Sequence, residues 1–256
     1  MNIAVFSIRR GGGHPVINWI CRQLPGFTVH YNNIFKAGGD PYKRSTHIIN
    51  YQDGGAGEEM YNTTFRQRRR IIAETVRPPE QDSDHVVHTY EDFQLRYLKS
   101  HGYYDRFEDV RPIEVLILRD PYNCSASRII SRRHAFLNRW VWYAREFVGE
   151  TDLLKFDKRP INYNSWFMSR EYRDSWLLEN LGLENHDWGV DEVSGMGNGS
   201  SFDGTEFDGQ AQRMNVLNRW EEIGLDRRKD FKKEMGENPR VREFAEKIFQ
   251  MEFPSC

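Results

Sequence analysis

The sequence predicts an α/β fold of three layers, α/β/α, with helices on both faces of a central parallel sheet of about four or five strands. Three observations predict it. Apolar runs short enough for strands alternate with amphipathic helical stretches along the 256-residue chain. One of them, Ile113 to Leu118, is almost entirely apolar, as a strand buried on both faces of a parallel sheet must be. The first run passes through three consecutive glycines straight into a helical pattern, which is the start of a βα unit. No repeat and no clear linker divides the chain, so residues 1–256 read as one domain.

The elements follow in order. Ile3 to Ile8 is a short apolar strand, and after the glycines Val16, Ile20 and Leu24 recur at helical spacing with Ile17 and Cys21 on the adjoining rows. Pro15 suits the first turn of that helix, where its missing N–H is no loss. "FTVHY" (27 to 31) reads as a second strand. Residues 36–60, rich in Gly, Asp and Tyr, read as a long functional excursion carrying Tyr42, His47, Tyr51 and Asp53. Residues 60–76 can form a helix. Its charge run, Arg66 and Arg68 to Arg70, reads as a solvated face rather than a nucleic-acid patch. "HVVHTYEDF" (85 to 93) predicts a strand running into a helix through "QLRYLKSHG".

After Leu118 the strand ends at Arg119, and Pro121 opens a helix holding Ser125, Ser127 and Ile129. Residues 135–149 form another helix, "INYNSW" (161 to 166) a short strand, and "REYRDSWLLENLGL" a helix stopped at Gly182. Residues 187–210 read as loop. "QAQRMNVLNRWEEIG" and "NPRVREFAEKIFQ" read as helices, the second with Asn238 as N-cap and Pro239 at its first position.

Composition narrows the function classes. With 36 basic and 38 acidic residues and a formal net charge of -2, the chain has no global bias toward nucleic acid or anionic membrane. Cys21, Cys124 and Cys256 are odd in number and widely spaced, which gives neither a disulfide framework nor a zinc pattern. The apolar run in "MNIAVFSIRR" is too short for a signal peptide, and no apolar stretch reaches the ~18 residues of a membrane span. A cytoplasmic protein with no membrane span is the simplest expectation, as a monomer or homodimer.

The chemistry concentrates at the ends of strands. In a strand–glycine turn–helix, backbone N–H groups converge on an anion and the helix dipole adds to the attraction. Arg9 and Arg10 add charge beside Gly11, Gly12 and Gly13. The glycines can also serve the tight connection alone. The loop is not a nucleoside-triphosphate P-loop, because His14-Pro15 stands where Lys and Ser or Thr would hold phosphate and magnesium. It is not a dinucleotide fingerprint either, since position 16 is Val. Arg119 ends a second strand, and Ser127 follows eight residues later on the next helix, so the two could clamp one phosphate. A structural Arg-Asp pair is the plainer reading of Arg119-Asp120.

Taken together, these residues resemble the sulfotransferases that use 3'-phosphoadenosine 5'-phosphosulfate (PAPS). The family's first motif, a basic residue with a Ser-Gly-Thr-like turn, wraps the 5'-phosphosulfate; Arg10-Gly11-Gly12-Gly13-His14-Pro15 stands in its place. Its second motif holds the 3'-phosphate with a strand-ending Arg and a Ser eight residues on, matched by Arg119 and Ser127. "INYNSWF" with "LLENLGL" resembles a later strand–helix segment. "GNGSSFDG" (197 to 204), with Ser200, Ser201 and Phe202, resembles a late loop closing near the nucleotide. The first loop departs from the family: its usual Ser is Gly11 and its usual Thr pair is Gly13-His14. The family's late basic motif is not visible, with Arg213 and Arg219 as possible substitutes.

The resemblance implies a P-loop nucleotide-hydrolase-like sulfotransferase fold, PAPS as donor with 3'-phosphoadenosine 5'-phosphate as product, and no obligatory metal. The acceptor would be a small molecule, saccharide or peptide bearing a hydroxyl or amine, lined by the 36–60 excursion. Arg10 would neutralise charge on the bridging oxygen and the sulfonate, and His14 could donate to the same oxygens. The acceptor needs a general base. His88 is the first candidate and Glu91 the second, with His14, His47 and Asp53 as further ones. A core histidine and a helix-start acid are the plain alternatives for the first two. A non-catalytic or degenerate nucleotide-binding protein of the same fold, and a P-loop-type kinase, remain as other functions.

Overall fold

A computed structural model describes residues 1–34, 37, 44–59, 83–131, 136–193, 199–236 and 238–252. The chain is a mixed α/β fold, a central sheet flanked by helices in an α/β/α arrangement. Strand β1 (Asn2–Ser7) leads through the glycines into helix α1 (Gly13–Gln23), then strand β2 (Phe27–Asn32). Strands β3 (His47–Gln52), β4 (Glu58–Glu59) and β5 (His85–Glu91) precede a short helix α2 (Tyr103–Arg106). Strand β6 (Ile113–Leu118) is followed by helices α3 (Pro121–Ile130) and α4 (Leu137–Phe147). Strand β7 (Asp157–Asn162) runs into α5 (Tyr163–Met168) and α6 (Arg170–Leu181), and the chain closes with α7 (Leu225–Gly236) and α8 (Pro239–Phe249).

Among the described residues the sheet has seven strands, in the order β4-β3-β2-β5-β1-β6-β7. The β2-β5-β1-β6-β7 neighbours pair in parallel, while β3 and β4 add an antiparallel edge. The expectation of four or five parallel strands therefore holds for the centre and misses this edge hairpin, which lies inside the predicted excursion. Alternation along the strands divides the core. Ile3, Val5, Val87, Val115 and Ile117 face α1, α5 and α6, and Ala4, Phe6, Tyr90, Leu116 and Leu118 face α3, α4, α7 and α8. The chain leaves β1 toward β2 on one side and later crosses to β6 on the other. That makes β1 a switch point, where a crevice opens at the carboxyl ends of the strands.

Local chemistry sets several boundaries. Asp120 caps α3 by accepting from Asn123 N at 2.8 Å, with Pro121 in the first turn. Ser169 caps α6, and Gly182 ends it in the left-handed conformation (φ 67°). Asn238 holds the N-cap position of α8 but makes no side-chain cap bond.

Three predicted elements differ. Asp92 adopts φ 55°, so the chain after β5 turns through two 3-10 segments, Leu95–Tyr97 and Lys99–His101, instead of continuing as a helix. The side chain of Asn162 accepts from Asn164 N and Ser165 N, which starts a helix where "INYNSW" predicts strand. The stretch 211–223 forms only a 3-10 turn, Ala211–Arg213, and further turns. Its carbonyls go to tertiary partners: Val216 O accepts from Arg119 and Leu217 O from Asn123 Nδ2. The helix predicted over 60–76, with Arg66 and Arg68 to Arg70, lies outside the described residues, as do Tyr42 and Cys256. Among the described residues no helix is long and apolar enough to cross a membrane.

Candidate functional site

A cavity of ≈ 440 Å³ opens at the carboxyl ends of the parallel strands. Its floor is the turn after β1. Gly11 N donates to Ile8 O at 2.8 Å, and Arg10 (φ 67°) and Gly12 (φ 78°) are both left-handed. A Cβ on Gly12 would fall 2.1 Å from the Tyr163 ring, and one on Gly13 2.5 Å from Ser7 Oγ. The glycines are thus required by close packing as well as by the turn. Gly12 supplies no side-chain cap, so the first amides of α1 are left for what enters the cavity, which Gly12, Gly13, His14 and Pro15 line.

The turn is held from several sides. Arg10 Nη1 donates to Gly199 O at 3.0 Å, Arg119 Nη1 to Arg10 O at 3.3 Å, and Arg128 Nη1 to Arg9 O at 3.1 Å. Asp92 accepts from Arg9 N at 3.1 Å and pairs with Arg128 and Arg139.

Arg119 and Ser127 both line the cavity. Arg119 is only 6 % exposed. Its guanidinium lies 5.2 Å from the Tyr163 ring centroid and donates to the Arg10 and Val216 carbonyls, while its Nε has no hydrogen-bond partner among the described residues. Among the described residues no carboxylate is in ion-pair contact with it; the adjacent Asp120 is engaged by Asn123 and Asn164.

The late loop contributes Gly199, Ser200 and Ser201, and the Ser201 Oγ is buried without a partner among the described residues. Ser200 Oγ is used locally, donating to Asp203 Oδ2 at 3.0 Å and accepting from Phe202 N. Phe202 does not line the cavity: Arg219 lies 4.7 Å over its ring, and Arg219 pairs with Asp203 and Glu222. Of the two late arginines, Arg219 lines the cavity and Arg213 does not.

The base candidates separate by position. Glu91, the last residue of β5, lines the cavity. Its Oε1 lies 3.0 Å from His14 Nε2 and its Oε2 3.1 Å from Arg9 Nε. Burial opposes its ionisation, but the adjoining His14 and Arg9 outweigh that and hold its carboxyl down at about 2. His88 is not in the cavity. It is 2 % exposed and faces the α3–α4 side of the sheet, stacked on Tyr31 with Phe107 against its edge. Burial, then the nearby Arg106 and His30, push its imidazole well below its ordinary value. The alternation that pairs His88 with Tyr90 is real, but that face is core. The expected base His88 is therefore corrected to a buried aromatic-like residue.

His47 reaches the cavity with Thr46, Asn32 and Asn33. Tyr51 is buried, and Asp53 sits at the opposite end of antiparallel β3, accepting from Gly26 N at 2.9 Å, so neither reaches the site.

Sequence reasoning missed the apolar wall: Tyr163, Trp166, Phe167, Val190, Met214 and Val216. A signal existed for three of them, since Tyr163, Trp166 and Phe167 fall at i, i+3, i+4 and share one face of α5. Among the described residues no group of three or more His, Cys, Asp or Glu is placed to hold a metal ion. Compared with protein-family models, curated proteins and solved structures, the chain has no match.

Proposed function

We propose that this protein is a sulfotransferase of P-loop nucleotide-hydrolase-like fold. It would move a sulfonate from PAPS by in-line displacement to a hydroxyl or amine of a small-molecule, saccharide or peptide acceptor. One observation carries the reading: among the described residues the buried Arg119 guanidinium has no carboxylate partner, and it faces the cavity shared by the β1 turn and Ser127. A buried cation without an anion is costly to maintain, and an anionic ligand relieves that cost.

The lining supports a ligand of three parts. The aromatic and apolar wall of Tyr163, Trp166, Phe167 and Val190 suits a purine. Arg119 and Ser127 suit the 3'-phosphate, and Arg10 with the first amides of α1 suits the 5'-phosphosulfate. The polar end, Asn32, Asn33, Thr46 and His47, is left for the acceptor. Bound there, PAPS supplies the transferable sulfonate. Arg10 and the amides stabilise charge as it gathers on the leaving oxygen, and most of the catalysis is positioning.

Calorimetry with adenosine 3',5'-bisphosphate tests this. Wild type is expected to bind without added metal, and Arg119→Ala to weaken binding by ~2–5 kcal/mol, the cost of truncating one member of a desolvated charged pair. Unchanged affinity in a folded Arg119→Ala protein removes the phosphate site. Magnesium-dependent turnover of ATP would favour the kinase reading instead.

A further inference from the structure

His14 and Glu91 come from different elements, the first turn of α1 and the end of β5, and meet inside the cavity. His14 Nε2 is 3.0 Å from Glu91 Oε1, and the other carboxylate oxygen is taken by Arg9 Nε at 3.1 Å. Glu91 is 8 % exposed at its side chain and His14 is 24 % exposed, so the acid lies behind the imidazole and the imidazole faces the space. His14 lines the cavity together with the arginines of the turn and with Asn32, Thr46 and His47. Arg9 from the turn, His30 from β2 and Tyr143 from α4 interact with the pair, and His47 from β3 interacts with His30 beside it. With one carboxylate oxygen against His14 and the other held by Arg9, Glu91 has no oxygen left for the acceptor, whereas the more exposed imidazole does face the space.

We infer that His14 is the catalytic base of the sulfonate transfer proposed above, on which this inference rests, and that Glu91 is its positioning residue. His14 Nε2 lies within ion-pair distance of Glu91 Oε1 but off the line of a hydrogen bond; a turn of the ring that aims Nε2–H at Glu91 leaves Nδ1 as the nitrogen available to take a proton. His14 Nδ1 takes the proton of the acceptor hydroxyl as that oxygen bonds to sulfur. The bond from sulfur to the 5'-phosphate oxygen breaks, and its electron pair stays on the departing phosphate. Glu91 then faces the imidazolium it has oriented, as the acid of a catalytic triad does.

Arg9 makes the arrangement testable, because a guanidinium only donates. In Glu91→Gln the amide oxygen must face Arg9, so the amide NH2 faces His14. The imidazole must then accept at Nε2 and carry its proton on Nδ1, which removes the base without emptying the site.

Nitrogen-15 spectra of the imidazoles at mildly alkaline pH, assigned with His14→Asn, read the tautomer directly. The expected result is Nε2–H in wild type and Nδ1–H in Glu91→Gln. In parallel, desulfation of PAPS in buffered ethylene glycol should fall ~10²–10⁴-fold in both His14→Asn and Glu91→Gln, the usual worth of general acid–base catalysis. Affinity for adenosine 3',5'-bisphosphate should fall far less than the rate in both variants, since Arg119, Ser127, Arg10 and the first amides of α1 remain to hold its phosphates. An Nδ1–H tautomer in wild type, wild-type desulfation no faster than buffer, or desulfation that survives His14→Asn overturns the base assignment. If wild type binds no bisphosphate, the sulfotransferase reading falls and the assignment falls with it. Bound nucleotide with an unaltered His14→Asn rate removes only the base.

Discussion

Two buried glutamates sit at opposite edges of one sheet and meet opposite fates. Glu91 ends β5 at the cavity edge, and Glu114 stands near the start of β6 at the closed edge. Burial opposes ionisation of both. At the cavity, His14 and Arg9 overcome it, and the Glu91 carboxyl is held at about 2. At the closed edge, burial prevails and the neighbouring Glu146 adds to it, so Glu114 is pushed up to about 7 despite a hydrogen bond from Phe156 N. The cavity edge is cation-rich. The closed edge holds acids among tyrosines, with Lys158 as the local counter-charge. Depth of burial alone does not decide the charge state of a carboxyl; the sign of its neighbours does.

Lys158→Met breaks the closed edge most severely. Glu146 is fully buried and accepts from Leu153 N, Leu154 N, Thr151 Oγ1 and Lys158 Nζ at 2.9 Å. Losing the ammonium leaves a buried carboxylate short of its counter-charge, and the expected loss is about 3 kcal/mol in urea unfolding. A loss below the error of the measurement would mean that the amide donors alone suffice.

Glu114→Gln sharpens the contrast next. With a folded value near 7 against an ordinary 4.5, Glu114 binds its proton more tightly in the native state. Its contribution is therefore fully favourable below 4.5 and is lost as pH rises from 4.5 to about 7. The variant should lose that falling limb and gain on the order of 2 kcal/mol over wild type above pH 7. An unchanged stability–pH curve would contradict it.

Glu91→Gln should give the mirror image with a smaller effect, because Arg9 is one-third exposed and screened. Glu91 contributes stability above 4.5 that is lost as pH falls toward about 2. The variant should be roughly 1–2 kcal/mol less stable than wild type at neutral pH, and the difference should shrink in acid. A gap that persists at low pH would point to packing rather than charge.

The same contrast shows what was legible in the sequence. Strands β1, β2 and β6 and helices α1 and α3 were readable from local apolar pattern and caps, because neighbours a few residues away determine them. Arg119, Ser127 and the glycine turn were readable as strand-end features; Arg119, Ser127, Gly12 and Gly13 line the cavity, while Gly11 does not and instead closes the turn through Ile8 O. His88 was misjudged because period-2 alternation assigns faces without saying which is core, and a central strand is buried on both. Only the last residue of such a strand, here Glu91, reaches the edge. Strand β3 was hidden because "THIINYQ" lies among glycines and takes its identity from antiparallel pairing with β2. The 211–223 stretch has helical spacing, but Arg119 and Asn123 claim its carbonyls, and no local pattern reveals a partner about a hundred residues away.

Asp92 ties together β5, the β1 turn, α3 and α4 through Arg9 N, Arg128 and Arg139. Its consequence concerns when order is acquired. A glycine-rich turn would ordinarily lose its conformational freedom on meeting a ligand, and that loss would weaken binding. Here the clamp freezes the turn during folding. Under the function proposed above, the donors would already be arrayed for an anion, and the turn would select among anions by fit rather than mould itself around them.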